Sequence, residues 1–312
     1  MLLREILDEF LLDCRIRNLS KRTITTYDYQ ISIFVNYMES EFDESKLLKV
    51  KKVHIKKYVL DLQETKKATY INQLIKTLKL FFKYMVKEEY IEKNIVEDIS
   101  YLKTERALLN TFNDSEVSSM INYYGKNKDF ISQRNKVIIE IFADCGLRAQ
   151  EVRELKNENM FDTYIKFFGK GRKERIVPIS PYLSYSLKKY NRTKKGYFNN
   201  LRRYREIDDY LFVTKSGQQL KNNVLLEKIV NEASYHVGVR DEVQRKSCHS
   251  LRHYYAQKLL KSGVNLYTIS RLLGHSNIKT TQTYLNSLTN EEILTDVKGI
   301  TPLTRLIEEN KL

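Results

Sequence analysis

Glycine and proline are absent from the start of this chain: the first glycine is Gly125 and the first proline is Pro178. Without those breakers only Asn, Ser and Asp remain to mark turns, so the first hundred residues are expected to be almost wholly helical. Leu3, Ile6, Leu7, Phe10 and Leu11 form an i, i+3, i+4 stripe for a first helix. Ser20 caps a second, which carries Ile24, Tyr27, Ile31, Phe34 and Tyr37. A third is expected near 52–62, and a fourth carries Tyr70, Leu74, Leu78, Phe81, Phe82 and Met85. Four such helices make a compact bundle.

Periodicity lapses at 102–111, which reads as a link between two domains, 1–103 and 104–312. Asn113 or Asp114 caps a new helix, and another is expected at 134–144. The pattern then shifts to strands at 163–168 and 175–179 around a basic turn. Helices return for most of 181–284, with a turn at Ser216-Gly217. In the tail, Thr301-Pro302 followed by Leu303, Leu306 and Ile307 predicts an amphipathic helix over 301–310. The fold class is mainly α with a small β-hairpin, α+β.

Charge narrows the partners. The 312 residues carry a net +15, yet residues 1–100 hold 18 basic and 16 acidic side chains. Residues 166–205 hold 13 basic side chains against the single acid Glu174, so most of the excess sits in one stretch. Phe167, Phe168, Tyr182, Tyr185, Tyr190, Tyr197 and Tyr204 interleave with those bases, a composition that can fold while presenting charge to phosphates. A solvated face is the plainer explanation of such a run. A membrane surface would call for a long basic amphipathic helix, which the sequence lacks. Mean hydropathy of −0.50 and no long apolar run exclude a transmembrane helix, and the first residues do not read as a secretory signal. The odd, sparse set Cys14, Cys145 and Cys248 suits a reducing compartment, and a cytoplasmic protein is expected.

Four islands in the second half contain four of only ten glycines. They are Cys145-Gly146-Leu147-Arg148-Ala149-Gln150-Glu151; Gly169-Lys170-Gly171-Arg172-Lys173-Glu174-Arg175; His249-Ser250-Leu251-Arg252-His253; and Leu273-Gly274-His275 with Tyr284 nine residues on. Each has an ordinary explanation alone. Arg148 and Glu151 could be an intrahelical ion pair, and Gly169-Lys170-Gly171 a plain β-turn. Cys248, His249 and His253 hint at metal, but no second cysteine pair or H-E-x-x-H supports it.

Together, in order, Arg148, Lys170, His249, Arg252, His275 and Tyr284 resemble the tyrosine recombinase family of phage integrases and Xer proteins. The resemblance spans nearly the whole chain. The motif His249-x-x-Arg252 and Leu273-Gly274-His275 through Thr280-Thr281 to Tyr284 is its most specific part. Leu19-Ser20-Lys21-Arg22-Thr23-Ile24 through Tyr27 is similar to the start of that family's helical, SAM-like core-binding domain, and Tyr210–Leu220 to its middle segment. Cys145 stands where threonine is common, and Ile95 follows Asn94 where proline is common; neither position is catalytic in the family.

The resemblance implies that Tyr284 attacks a DNA phosphodiester and stays attached to the 3′ phosphate. A phenol of pKa about 10 is a weak nucleophile, so its proton must be taken up and the phosphorane charge neutralised. Arg148 and Arg252 would clamp the non-bridging oxygens, because a guanidinium grips two oxygens and keeps its charge. Lys170 would be the general acid for the leaving 5′ oxygen, His249 the acceptor of the tyrosine proton, and His275 a phosphate ligand. Glu151 would orient Arg148. Arg172, Lys173, Arg175, Lys188, Lys189, Lys21, Arg22 and Thr23 are the expected DNA contacts. No metal, cofactor or ATP is implied. The partners would be duplex DNA with paired inverted repeats, a homodimer on each site and a tetramer at the synapse, with the two domains clamped around the duplex. The chain begins directly with the bundle, which suggests a simple Xer-like or mobile-element recombinase without an arm-binding domain. The 301–310 helix would dock on a neighbouring protomer or on its own domain. A type IB topoisomerase shares the chemistry, and a DNA-binding protein that has lost catalysis would share the fold.

Overall fold

The structure, a computed structural model, describes residues 2–42, 50–104, 110–168, 174–199, 207–275, 277–283 and 285. The chain divides into two compact units, Met1–Ala107 and Leu108–Leu312.

The first unit is helical, as its lack of breakers demands. Its helices are α1 (Leu3–Ile16), α2 (Lys21–Phe42), α3 (Lys52–Gln63) and α4 (Ala68–Lys87). α1 has no side-chain cap, and it is held by burial of Leu3, Ile6, Leu7, Phe10, Leu11 and Cys14. Each such side chain contributes roughly 1.5–3 kcal/mol, more than the ~1 kcal/mol of a typical cap. Phe10 meets Phe81 and Tyr84 of α4 edge-on. Ser20 does cap α2, its Oγ accepting from the Thr23 amide at 3.2 Å. After α4 the chain is tied back without a helix. The Asn72 side chain clamps both backbone polar groups of Leu102 at 2.8 and 2.9 Å. Asn94 accepts from the Val96 amide at 3.0 Å, a local turn that does not need proline at position 95.

The second unit is built around α6 (Phe130–Cys145), which buries Val137, Ile138, Ile139, Ile141, Phe142 and Cys145. α5 (Asp114–Gly125), α8 (Pro181–Asn199) and α10 (Cys248–Lys261) pack on it. Asn113, not Asp114, caps α5, in a reciprocal pair with Glu116 at 2.8 Å each way. α6 starts four residues before the expected 134, because Asp129 accepts from the amides of Ile131 and Ser132. The hairpin strands β1 (Tyr164–Phe168) and β2 (Glu174–Pro178) are antiparallel, with Lys166 opposite Ile176 and Phe167 opposite Arg175. α7 (Ala149–Arg153), a 3-10 turn at Asn157–Asn159, α9 (Val224–His236), α11 (Leu266–Leu273) and α12 (Lys279–Gln282) complete the described elements. The helix expected at 301–310 lies outside the described residues. No described helix is long and apolar enough to cross a membrane.

The basic stretch is less uniform than its composition suggests. Tyr182 and Tyr185 are exposed on α8, as are Lys188 and Lys189. Tyr190 is buried instead, its hydroxyl donating to the Leu211 carbonyl at 2.9 Å. Lys194 turns inward to the carbonyls of Tyr210 and Leu211, and burial lowers its pKa to about 8. Part of the charge excess therefore ties α8 to the following segment rather than facing solvent.

Candidate active site

Two helix ends organise the site. α6 terminates at Gly146 in the left-handed region, φ +58°, where a Cβ would sit 2.2 Å from the Tyr255 ring. That reversal places Arg148 at the cap of α7 and Glu151 three residues on. α11 terminates at Gly274, φ +64°, with the Gly274 amide donating to Arg271 and the His275 amide to Ser270. This closure leaves the Leu273 and Gly274 carbonyls directed at side chains rather than at their own helix.

Three arginines take up those carbonyls. Arg252 of α10 is only 2% exposed. Its Nη1 donates to the Gly146 carbonyl at 2.8 Å and its Nη2 to the Leu273 carbonyl at 2.7 Å. Arg175 of β2 donates to the same Leu273 carbonyl at 3.1 Å, and Arg148 donates to the Gly274 carbonyl at 2.7 Å. The negative end of the α11 dipole favours this gathering of cations. Glu151 joins two of them: Oε1 accepts from Arg148 at 2.9 Å and Arg175 at 3.0 Å, and Oε2 from Arg175 at 2.9 Å and the Arg148 amide at 2.8 Å. Burial works to raise the Glu151 pKa, but the hydrogen bonds and charge of Arg175, with help from Arg148, hold it below the usual carboxylate range.

Arg252 Nη2 also lies 2.9 Å from His275 Nε2. A guanidinium cannot accept, so Nε2 offers its lone pair. The imidazole proton then sits on Nδ1, 2.8 Å from the Thr281 Oγ1 that accepts it. Burial, followed by the charges of Arg252, Arg148 and Arg175, lowers the His275 pKa to about 4. His249 lies one turn before Arg252 on α10, and its ring meets His253 edge-on at 4.2 Å. Burial first, then the charge of Arg252, lowers the His249 pKa. His253 is lowered to about 4, by burial first and then by His249.

The structure thus brings Arg148, His249, Arg252 and His275 together, with Glu151 behind Arg148. Lys170, Arg172, Lys173 and Tyr284 lie outside the described residues. Arg175, expected to contact DNA, is turned inward by Glu151 and Leu273 and packs over the Phe167 ring, 4.9 Å from its centroid. Lys188 pairs with Asp162 at the surface, and Lys21 and Arg22 are exposed at the start of α2, where the Thr23 hydroxyl meets Ser20. Thr281 was not among the expected site residues, although its place three before Tyr284 in the motif was a signal. Chemically, the arrangement is a pair of fixed guanidinium forks beside two neutral imidazoles, suited to holding a tetrahedral oxyanion. Arg148, with 43% of its side chain exposed, is the more open of the two.

Two consequences follow from this packing. At Gly274 an added Cβ would lie 2.1 Å from Arg175 Nη1, in a conformation L-residues avoid. Gly274→Ala should therefore cost about 2 kcal/mol or more of stability, read as a lowered denaturation midpoint. The histidines set a pH dependence. His253 and His275 stay neutral when folded, down to about pH 4, whereas an unfolded imidazole takes a proton near pH 6.5. The unfolded chain binds more protons between those values, so stability is full above about pH 6.5 and falls as pH drops toward 4. Thermal midpoints across that window should fall on acidification, and the slope should flatten in a His253→Asn/His275→Asn chain; an unchanged slope would refute the assignment.

Comparison with known proteins agrees across both units. The profile described as "Phage integrase family" matches residues 110–291, and that described as "Phage integrase, N-terminal SAM-like domain" matches residues 6–92. The tyrosine recombinase XerC of Thermodesulfovibrio yellowstonii is 29% identical over 85% of this chain and 85% of its own. A tyrosine recombinase of Pseudothermotoga lettingae is 30% identical over 89% of this chain and 91% of its own. In fold, the chain is similar to the XerH site-specific recombinase solved in a post-cleavage complex with palindromic difH substrate. That likeness has a TM-score of 0.74 and 22% identity, covering 91% of this chain and 81% of that one.

Proposed function

The chain belongs to the phage integrase family of tyrosine recombinases, and from that premise we propose how it breaks and rejoins DNA at specific sites. Tyr284 attacks the scissile phosphorus, the 5′ oxygen leaves, and a 3′-phosphotyrosyl bond forms. His249 accepts the phenolic proton, and Lys170 donates a proton to the leaving oxygen. Arg148 and Arg252 neutralise the non-bridging oxygens, and His275 joins them. Attack by a new 5′ hydroxyl reverses the step, so religation draws on the energy of the phosphotyrosyl bond and requires neither ATP nor a divalent ion.

The observation that supports this reading is the meeting of Arg148, Arg252 and His275 at the end of α11, contributed by three separate parts of the chain. Forks held by backbone carbonyls need little reorganisation when charge develops on a phosphorane. The exposed bases Lys188 and Lys189, with Lys21 and Arg22 on the other unit, are positioned on surfaces open to phosphates. The partner is duplex DNA with inverted repeats in the cytoplasm, two protomers per site and four at a synapse, since strand exchange needs two duplexes.

A pair of assays tests the proposal. With two cognate sites on one plasmid, the chain should form a covalent protein–DNA adduct and exchange the intervening segment. Supercoil relaxation without exchange would point to a topoisomerase, and binding without adduct would point to an accessory factor.

A further inference from the structure

We propose that Thr281 is a positioning residue whose hydroxyl lets His275 change tautomer between the DNA-free protein and the protein engaged on phosphate. The inference rests on the reading of His275 as a phosphate ligand and asks how this ring can serve as one. In the structure Nε2 is an acceptor, occupied by Arg252 Nη2 at 2.9 Å, and Nδ1 carries the proton to Thr281 Oγ1 at 2.8 Å. A phosphate oxygen is itself an acceptor, so this tautomer offers it nothing from Nε2. For the ring to donate, the proton must leave Nδ1 for solvent and another must be taken up on Nε2, with the net proton count unchanged. Nδ1 then needs a donor in place of an acceptor.

A hydroxyl is the side-chain group that can do both in one position, by rotating its hydrogen. Thr281 is fully buried, and its amide is fixed by the Ile278 carbonyl at 2.8 Å, so Oγ1 keeps its place while its hydrogen turns. The Nη2 proton released from the ring is then available to a phosphate oxygen, while Nη2 keeps its other bond to the Leu273 carbonyl and Nη1 its bond to Gly146, which holds the guanidinium in plane. Arg148, Arg175 and His249 also face the ring and disfavour the alternative of adding a second proton to it. Exchange of tautomers, with no gain of charge, is the route the surroundings leave open.

The test uses the full chain with 15N-labelled histidine. In the DNA-free protein, the ring signal lost in His275→Asn should show the proton on Nδ1; a proton on Nε2 overturns the proposal. Thr281→Val keeps the shape but removes the hydroxyl, and should slow adduct formation on a nicked substrate by tenfold or more while DNA affinity changes by less than threefold. Thr281→Ser should restore the rate to within threefold of the parent. Cleavage by Thr281→Val at the parent rate, or a serine variant as slow as the valine one, overturns the proposal. Failure of the parent chain to form an adduct would instead strike the functional reading, which the DNA-free spectrum does not depend on.

Discussion

Replacing Arg252 with alanine should slow covalent adduct formation by about a thousandfold, the scale set by losing a preorganised oxyanion donor. It should also cost about 2–4 kcal/mol of stability, because the Gly146 carbonyl and His275 Nε2 each lose the guanidinium that reaches them. The Leu273 carbonyl fares better, since Arg175 also reaches it at 3.1 Å. Arg252→Lys separates charge from geometry. An ammonium keeps the positive charge but cannot present two nitrogens in one plane to Gly146 and Leu273. It should recover part of the stability and little of the rate. DNA affinity, spread over many phosphate contacts, should fall by only a few-fold in either variant. Single-turnover adduct formation, thermal denaturation and equilibrium binding, measured on the same preparations, read the three quantities separately. Near-parental cleavage by Arg252→Ala would remove this side chain from the reaction and leave it a purely structural tie.

Arg252 shows what could be read from the sequence and what could not. Buried arginines are rare, and nothing in the amphipathic pattern of α10 marks position 252 as interior. Its spacing to His249 in an ordered motif drew attention to it, but the carbonyls of Gly146 and Leu273 that hold it belong to distant helix ends. The four-helix bundle was legible because a stretch free of glycine and proline with apolar residues at 3.6 spacing has few alternatives. Helix starts were legible where a cap stood out, at Ser20 and Asn113, and were misplaced where Asp129 extended α6 backwards. The hairpin is more instructive. β2 alternates, so Arg175 lies on the same face as the buried Val177, while Ile176 points to solvent. That alternation was present in the sequence, but the adjacent apolar pair Ile176-Val177 obscured its phase, and Arg175 was grouped with the outward bases. The carboxylate that turns it inward, Glu151, is 24 residues away, a distance over which local patterns say nothing.

Tyr284→Phe should abolish the covalent adduct altogether while leaving specific DNA binding within a factor of two or three. The two expectations have different physical origins. Attack on phosphorus requires an oxygen nucleophile, and phenylalanine keeps the ring but has no atom that can form the bond, so the loss is not graded. In the proposed complex, binding rests on phosphate contacts made by basic side chains, none of which this change touches. Twenty-one other tyrosines remain in the chain, which gives the experiment its force. If one of them were the nucleophile, the variant would still trap a nicked substrate, and peptide mapping of the adduct would identify it. The two tyrosines of α10 are poor candidates. Tyr255, on α10 beside Gly146, is buried, and its pKa is pushed up by burial. Tyr254 is engaged with Asp114 at 2.9 Å, and its pKa too is raised, by burial first and then by that carboxylate. Each would have to give up its proton with less help than an ordinary phenol. α12, which ends two residues before Tyr284 in the sequence, is tied to the arginine forks by the bond between Thr281 and His275. Loss of the adduct in Tyr284→Phe, with the bound complex intact, would therefore separate the nucleophile from the forks that the other substitutions address.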